Sequence, residues 1–355
     1  MVIFFVLLLV PIMMQHFAIK GLHMDYQKRN QAAMTFFFVL LTLMIGLRHE
    51  SVGNDTRNYI NFFKAYARAD WDDFSGAEVG FQYLNKLISL FSREPQVYLA
   101  MAAVLVSAMI YPTYKRLCTD ASLTIVLFCT MSTFFMMFSG IRQMIAISIG
   151  FIAYHFTRQK KLIPFVLSVL LALSMHTSAF MLAFMYPLYH ARVTKKWLYI
   201  VVPVLAVCFA YNRQIFGALA LILQEFTEYD TEITLTGAYT MLILFGAFTV
   251  FSFLVTDERK LDGETIGLRN FLLLAFALQM FAPLHMLSMR MGYYYMIFVP
   301  LLLPRIIECR SRRWNQVAIL GRHVMVAFFL VYSFISASGG ALNVFPYRFF
   351  WEQVG

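Results

Sequence analysis

The feature that most limits what this chain can fold into is a succession of apolar runs with the charge gathered between them. Each run approaches the roughly 20 residues a helix needs to cross hydrocarbon. An unpaired amide is too costly in lipid, so such runs must be helices or the strands of a closed barrel. They show no period-two alternation, which removes the barrel. Only 14% of the 355 residues are charged and 60% are hydrophobic, where a soluble domain carries roughly 25% charge. The sequence predicts an all-α, polytopic membrane protein with about twelve spans, near 1–18, 31–47, 95–114, 121–138, 141–157, 162–175, 177–189, 197–211, 236–255, 270–289, 291–307 and 324–338. The short seventh candidate leaves room for a broken or re-entrant pair around His176. The first resembles a signal-peptide core but lacks a basic start and a small-residue cleavage site, and reads as a retained span.

Orientation follows from where Lys and Arg gather. With the amino terminus outside, the inward loops hold about 19 of the 29 Lys and Arg, among them Lys160, Lys161, Lys195, Lys196, Arg269, Arg312 and Arg313. The net charge of +10 then reflects topology. A nucleic-acid role would need a basic patch with interleaved aromatics on a soluble face, and the sequence has none. Both termini come out extracytoplasmic. A single integral membrane domain is expected over 1–355, with two outward loops at about 48–94 and 211–235. The second is acidic, with Glu225, Glu228, Asp230 and Glu232. In the first, Phe81, Leu84, Leu87, Ile88 and Phe91 recur at helical spacing and predict a helix lying on the outer membrane face. The longest inward loop has no room for a nucleotide-binding domain. Cys118, Cys129, Cys208 and Cys309 lack metal-ligand spacing and read as small packing residues.

The densest polar cluster opens the first outward loop, from Gly46 to Tyr59. Gly53 suits a tight turn. Asp55 is placed to cap a helix beginning at Thr56; the other reading makes this segment the mouth of an anion and sugar site. Glu78 stands where a helix dipole favours a carboxylate, and could instead bind sugar hydroxyls or take a proton. Arg142, followed by Gln143, lies between two apolar runs, where a cation must snorkel or line a polar cavity. His176 interrupts an apolar stretch, either as a packing residue or as an acid–base group titrating near neutrality. Arg290 precedes Tyr293, Tyr294 and Tyr295, which fit an aromatic belt better than sugar stacking. Arg48, Arg142 and Arg290 are thus three outward arginines in a chain that otherwise keeps its positive charge inside. A guanidinium fork engages two phosphate oxygens at once, and a lipid-linked pyrophosphate lies at this depth.

These segments carry a resemblance. Gly46-Leu47-Arg48, Val52-Gly53-x-Asp55-Thr56-x-x-Tyr59, Glu78-x-Gly80-Phe81-x-x-Leu84-Asn85, Gly140-Ile141-Arg142-Gln143, His176-x-Ser178-Ala179, the stretch from Arg290 to Tyr295 and Phe345-Pro346-Tyr347 together resemble the EpsG-like family of Wzy-type exopolysaccharide and O-antigen polymerases. The resemblance departs at Ser139, where many relatives are expected to carry asparagine. It implies a glycosyltransferase of the bacterial inner (cytoplasmic) membrane with a fold akin to the C-type membrane glycosyltransferases. Such an enzyme moves a growing glycan from undecaprenyl pyrophosphate onto a lipid-linked repeat unit outside that membrane, inverting the anomeric centre, with no metal or other cofactor. Asp55, Glu78 and His176 are then candidate bases, Asp55 narrowly ahead, and Arg48, Arg142, Gln143, Arg290, Tyr59 and Tyr294 candidate substrate contacts. Expected partners are the undecaprenyl-pyrophosphate-linked oligosaccharide, membrane lipids and a chain-length regulator protein, with no nucleic acid. A flippase or transporter of lipid-linked oligosaccharide and an O-antigen ligase are the rival readings.

Overall fold

Apolar runs punctuated by Asp, Gly and Pro become helices, and in a computed structural model these account for the architecture. The structure describes residues 2–15, 25–71, 76–223, 236–284 and 286–352. Among them no strand forms; there are only two isolated antiparallel bridges, Arg48 with Phe349 and Thr256 with Arg310. Contacts group the chain into two compact units, Met1–Ala183 with Leu320–Gly355, and Phe184–Ile319. The acidic residues expected in the second outward loop lie outside the described residues. The part of that loop that is described is helical.

The first unit holds α1 (Val2–Met13), α2 (Tyr26–Gly46), α3 (Thr56–Arg68), α4 (Val79–Phe91), α5 (Pro95–Leu117), α6 (Ala121–Thr130), α7 (Ser132–Ser139), α8 (Ile141–Arg158) and α9 (Leu162–Met175), followed by a 3-10 turn over Thr177–Phe184. Asp25 and Asp120 start α2 and α6 by accepting the backbone N–H groups of Lys28 and Leu123, the usual work of an N-cap aspartate. Helix α2 packs along α5, α8 along α9, and α4 against both α3 and α9. In α3 the buried set Thr56, Tyr59, Ile60, Phe63, Tyr66 and Ala67 follows the 3.6-residue period.

Helix α4 is turned the other way. Its polar Gln82, Asn85 and Ser89 are buried with Phe81 and Ile88, while Leu87, Leu90 and Phe91 are exposed. Helix α9 likewise exposes Leu162, Ile163, Leu167 and Leu170. Outward apolar faces of this extent suit lipid rather than water.

The second unit comprises α10 (Met185–His190), α11 (Leu198–Ala210), α12 (Asn212–Leu223), α13 (Thr236–Leu254), α14 (Gly263–Gln279), α15 (Met286–Met296), α16 (Val299–Glu308) and the start of α17 (Asn315–Ser338), whose remainder from Leu320 belongs to the first unit. Arg269, expected in an inward loop, lies within α14 and is fully buried. It donates to Glu258 at 2.8 and 3.2 Å and to the Val193 carbonyl at 2.8 Å. Asn270 beside it holds the carbonyls of Leu188 and Ala191. Asp262 caps α14 and pairs with Arg305 of α16 at 2.7 Å. Tyr293, Tyr294 and Tyr295 are core residues, 2%, 1% and 0% exposed, so they do not form the expected belt.

Among the described residues three helices are long and apolar enough to cross a membrane, Tyr26–Gly46, Pro95–Leu117 and Arg312–Ser338, or up to five if each bent pair is one span. The sequence suggests about twelve. Part of the difference has a local cause: several apolar runs are divided, and others, such as Val2–Met13 and Leu162–Met175, form short helices. Helices α6 and α7 bend by 60° at Met131, α11 and α12 by 76°, and 177–190 splits into a 3-10 turn and one short helix. Breaks of this kind are tolerated at membrane depth where the freed backbone finds partners inside the protein.

Candidate active site

Among the acids at helix N-caps in the first unit, Asp55 and Glu78, like Glu94, make no cap bond. Asp55 precedes α3 and Glu78 precedes α4, with no cap bond from either side chain. The expected Asp55 cap is therefore not made, although Asp25, Asp120 and Asp262 in this same chain all cap their helices. A cap bond is worth roughly 0.5–2 kcal/mol, so the Asp55 carboxylate is held by something else. Ser139 Oγ donates to its Oδ2 at 3.2 Å and accepts the Asp55 backbone N–H at 3.3 Å. Ser139 is the last residue of α7, at the break before α8.

Glu78 is the centre of a second group. Its Oε2 lies 2.7 Å from Arg142 Nη1, and its Oε1 accepts the Thr177 N–H at 2.8 Å. His176 Nδ1 is 3.9 Å from the same Oε1. The three side chains are largely enclosed, at 26% exposure for Arg142, 15% for Glu78 and 14% for His176. Arg142 begins the first turn of α8, three residues after Ser139, so the α7–α8 break braces Asp55 on one side and anchors Glu78 on the other. The Arg142 Nε is buried with no hydrogen-bond partner among the described residues. Glutamate thus pins one edge of the guanidinium and leaves the buried Nε–H unpartnered.

The neutral tautomer of His176 follows from its neighbours. The Ser178 backbone N–H, 3.1 Å away, can only donate, so Nδ1 is the acceptor and the ring proton sits on Nε2. Ser178 Oγ is 3.0 Å from the same nitrogen. Tyr66 of α3 lies within electrostatic reach of both Arg142 and Glu78.

Close backbone approach makes this geometry possible. A Cβ on Gly80 would come within 2.2 Å of Ser174 Oγ and 2.8 Å of the Ser174 carbonyl. The lack of a side chain there lets the start of α4 meet the end of α9. Gly53 has φ +91°, and a Cβ on it would meet the Phe138 carbonyl at 2.2 Å. The loop it belongs to is held across the fold by a second segment. Gly53 N–H donates to Asn343, Asn54 N–H to Leu342, His49 N–H to Arg348 and Phe350 N–H to Leu47. Tyr347 Oη adds a bond to the Met44 carbonyl at 2.7 Å.

The other sequence-derived candidates fall elsewhere. Gln143 is buried in α8. Tyr59 packs edge-on against Phe81, joining α3 to α4. Arg48 is 1% exposed and makes no ion pair among the described residues; its Nη1 donates to the Ile45 carbonyl. Arg290, half-buried, and Tyr294 belong to α15 of the second unit. Sequence reasoning missed Ser139, Ser178 and the Thr177 amide. A serine at the break before Arg142, and a hydroxyl two residues after His176, are the signals that pointed to them.

Fold and site define a helical membrane protein in which an acid-braced arginine, a histidine of fixed tautomer and an aspartate held by a serine gather around one helix break. The chain belongs to the EpsG family, whose model matches residues 31–349 and so takes in every residue of this site. No curated protein and no solved structure matches the chain.

Proposed function

We propose that the chain is a multi-pass glycosyltransferase of the bacterial inner membrane that polymerises a polysaccharide on the extracytoplasmic side, with an undecaprenyl-pyrophosphate-linked glycan as donor and a lipid-linked repeat unit as acceptor. EpsG membership supports a polysaccharide polymerase. The observation that carries the chemistry is the division of labour among the three candidate bases. Glu78 Oε1 accepts the Thr177 N–H, and Oε2 is held in the ion pair with Arg142. In neutral His176 the basic nitrogen is taken by Ser178. Asp55 Oδ1 has no hydrogen-bond partner among the described residues, which leaves Asp55 as the base.

In this reading Asp55 takes the proton of the acceptor hydroxyl as its oxygen attacks the anomeric carbon of the donor glycan. The bond from that carbon to the pyrophosphate oxygen breaks, and its electron pair leaves with the pyrophosphate. Direct displacement inverts the centre. The Arg142 guanidinium, oriented by Glu78, meets the charge that grows on the leaving group. Arg290 is a candidate phosphate contact to be tested by itself. The experiment is reconstitution with a synthetic lipid-linked repeat unit, reading chain length on a gel. Ladders from wild type and none from Asp55→Asn are expected. Transfer of a single unit to a different acceptor would make the protein a ligase, and movement of the lipid without glycan growth a flippase.

A further inference from the structure

Residues 347–351 form a block of aromatic rings fastened to the loop that leads into Asp55. Phe349 stacks face to face on Trp351, with centroids 4.4 Å apart and planes at 9°. Tyr347 meets Phe349 edge-on at 5.2 Å, and Phe350 meets Trp351 in the same way at 4.8 Å. The block is tied down at one end and open at the other. Tyr347 Oη donates to the Met44 carbonyl, the backbones of Arg48 and Phe349 form an antiparallel bridge, and Phe350 N–H donates to the Leu47 carbonyl. Phe350 and Trp351 are nevertheless 44% and 57% exposed. Charged groups flank the rings. Glu352 Oε2 accepts the Phe349 N–H at 3.2 Å, while its other oxygen and the Arg348 guanidinium have no partner among the described residues. An exposed tryptophan that only anchors a protein at the headgroup level needs neither a preassembled stack nor a tie to the loop of the candidate active site.

We propose that the open face of Trp351, with Arg348 and Glu352 beside it, is a carbohydrate subsite that holds the glycan at a distance from the bond being formed. The proposal rests on the polysaccharide polymerase reading. A pyranose ring presents C–H groups on its faces, and these stack on the electron-rich face of an indole. The hydroxyls around the ring then meet the guanidinium and the carboxylate, which hydrogen-bond sugars without fixing their sequence. The place of the subsite follows from the register of the clamp. Asn343 is bonded to Gly53, next to Asp55, and Phe350 to Leu47. The chain between Asn343 and Phe350 reaches at most about 25 Å. Trp351 is thus too remote to touch the reacting sugar and near enough for a glycan that extends from it. A grip there acts on chains that have already grown.

The test uses the full chain in detergent and the synthetic lipid-linked repeat unit. Trp351→Leu should make the first transfer at the wild-type rate and then stop at chains severalfold shorter, because binding energy from a remote part of the substrate is available only once that part exists. Trp351→Phe keeps a flat aromatic face and should recover much of the length. Leucine keeps the apolarity that a membrane anchor needs, so equal products from the leucine and phenylalanine variants would overturn the proposal, as would full-length polymer from Trp351→Leu. Binding is read separately from catalysis. Soluble oligosaccharides cut from the host's own surface polysaccharide should change the Trp351 emission, taken as wild type minus Trp351→Phe, in a saturable way, and this measurement decides if Trp351→Leu fails to accumulate. Emission quenched by brominated lipid and indifferent to the oligosaccharide would make Trp351 an interfacial anchor and sink the subsite. A wild type that forms no polymer, yet whose Trp351 emission still responds to the oligosaccharide, would remove the polymerase reading and leave the subsite standing.

Discussion

At the scale of single residues, the site turns on which atoms are already occupied. If Glu78 orients Arg142, then Arg142→Lys should rescue poorly, because lysine keeps the charge but not the planar fork. A hydrogen bond to a charged group is worth roughly 1.5–3 kcal/mol, so the loss should be about tenfold to a hundredfold in polymer formed. Glu78→Gln should fall by a similar factor while leaving membrane abundance intact, and Arg142→Ala should be worse. Complementation of a polymerase-null strain, scored by surface-glycan length with levels checked by blot, measures all three; full-length glycan from Arg142→Ala at normal abundance would reduce the pair to a structural bridge. Arg290→Ala, made separately, tests the second unit's candidate. Asp262 offers a pH prediction of another kind. Burial works to raise its carboxyl, but hydrogen bonds from Thr265 and the Arg305 guanidinium outweigh this and hold it below the ordinary carboxylate range. A folded value below the unfolded one gives stability that is present above the unfolded value and lost as pH falls through the folded one. Asp262→Asn should therefore flatten the acid side of the melting profile, by little, since the side chain is 58% exposed. The identities of Asp55, Glu78, Arg142 and His176 were legible in sequence because polar groups beside apolar runs need a reason. Their roles were not. Nothing in the order of residues says that Asp55 forgoes its cap for Ser139, or that Ser178 fixes the histidine tautomer, since both depend on side-chain directions set by packing.

At the scale of elements, glycine decides how closely helices meet. Gly80→Ala would drive α4 against the Ser174 hydroxyl and carbonyl. The expected result is a loss of polymer of at least about tenfold, as Glu78 is drawn from Thr177 and His176, with α4 and α9 still folded. Protease resistance and expression near wild type, with glycan shortened, would agree; unchanged glycan would show that the two helix ends do not need this approach. Helices α8 and α9 were legible almost to the residue, because apolar runs bounded by basic residues or a histidine leave little choice. Helix α4 was legible in place. Its apolar stripe was expected to lie on the membrane surface; in the structure Leu87 and Phe91 of that stripe are exposed, while Phe81 and Ile88 are buried beside the polar Gln82, Asn85 and Ser89. Periodicity reports that two faces differ, and only the solvent on each side says which goes inward. The bend at Met131 escaped because a run of apolar residues looks the same whether it is straight or broken; a break around His176 was signalled only by the shortness of the run that follows it.

At the scale of the whole molecule, the charge distribution predicts a topology that labelling can check. In a variant lacking its four cysteines, a cysteine at Lys160 or Lys196 should be spared by a membrane-impermeant reagent added outside, and one at the exposed Arg57 should react. Labelling at 196 with protection at 57 would invert the map and place the site on the cytoplasmic side. The number of crossings was least legible, since it needs more than hydropathy: divided helices and short ones pass the same composition test as true spans. The clamp between residues 47–54 and 342–350 bears on how such a protein is made. Asn343 donates its side-chain amide to Asn54 at 2.6 Å across 289 residues of sequence. The loop bearing Asp55 leaves the ribosome early, yet its partners emerge only after most of the helices have been threaded into the bilayer. Until then the loop that carries the proposed base is held only by its contacts with Ser139 and Phe138, so a truncated translation product is expected to lack activity.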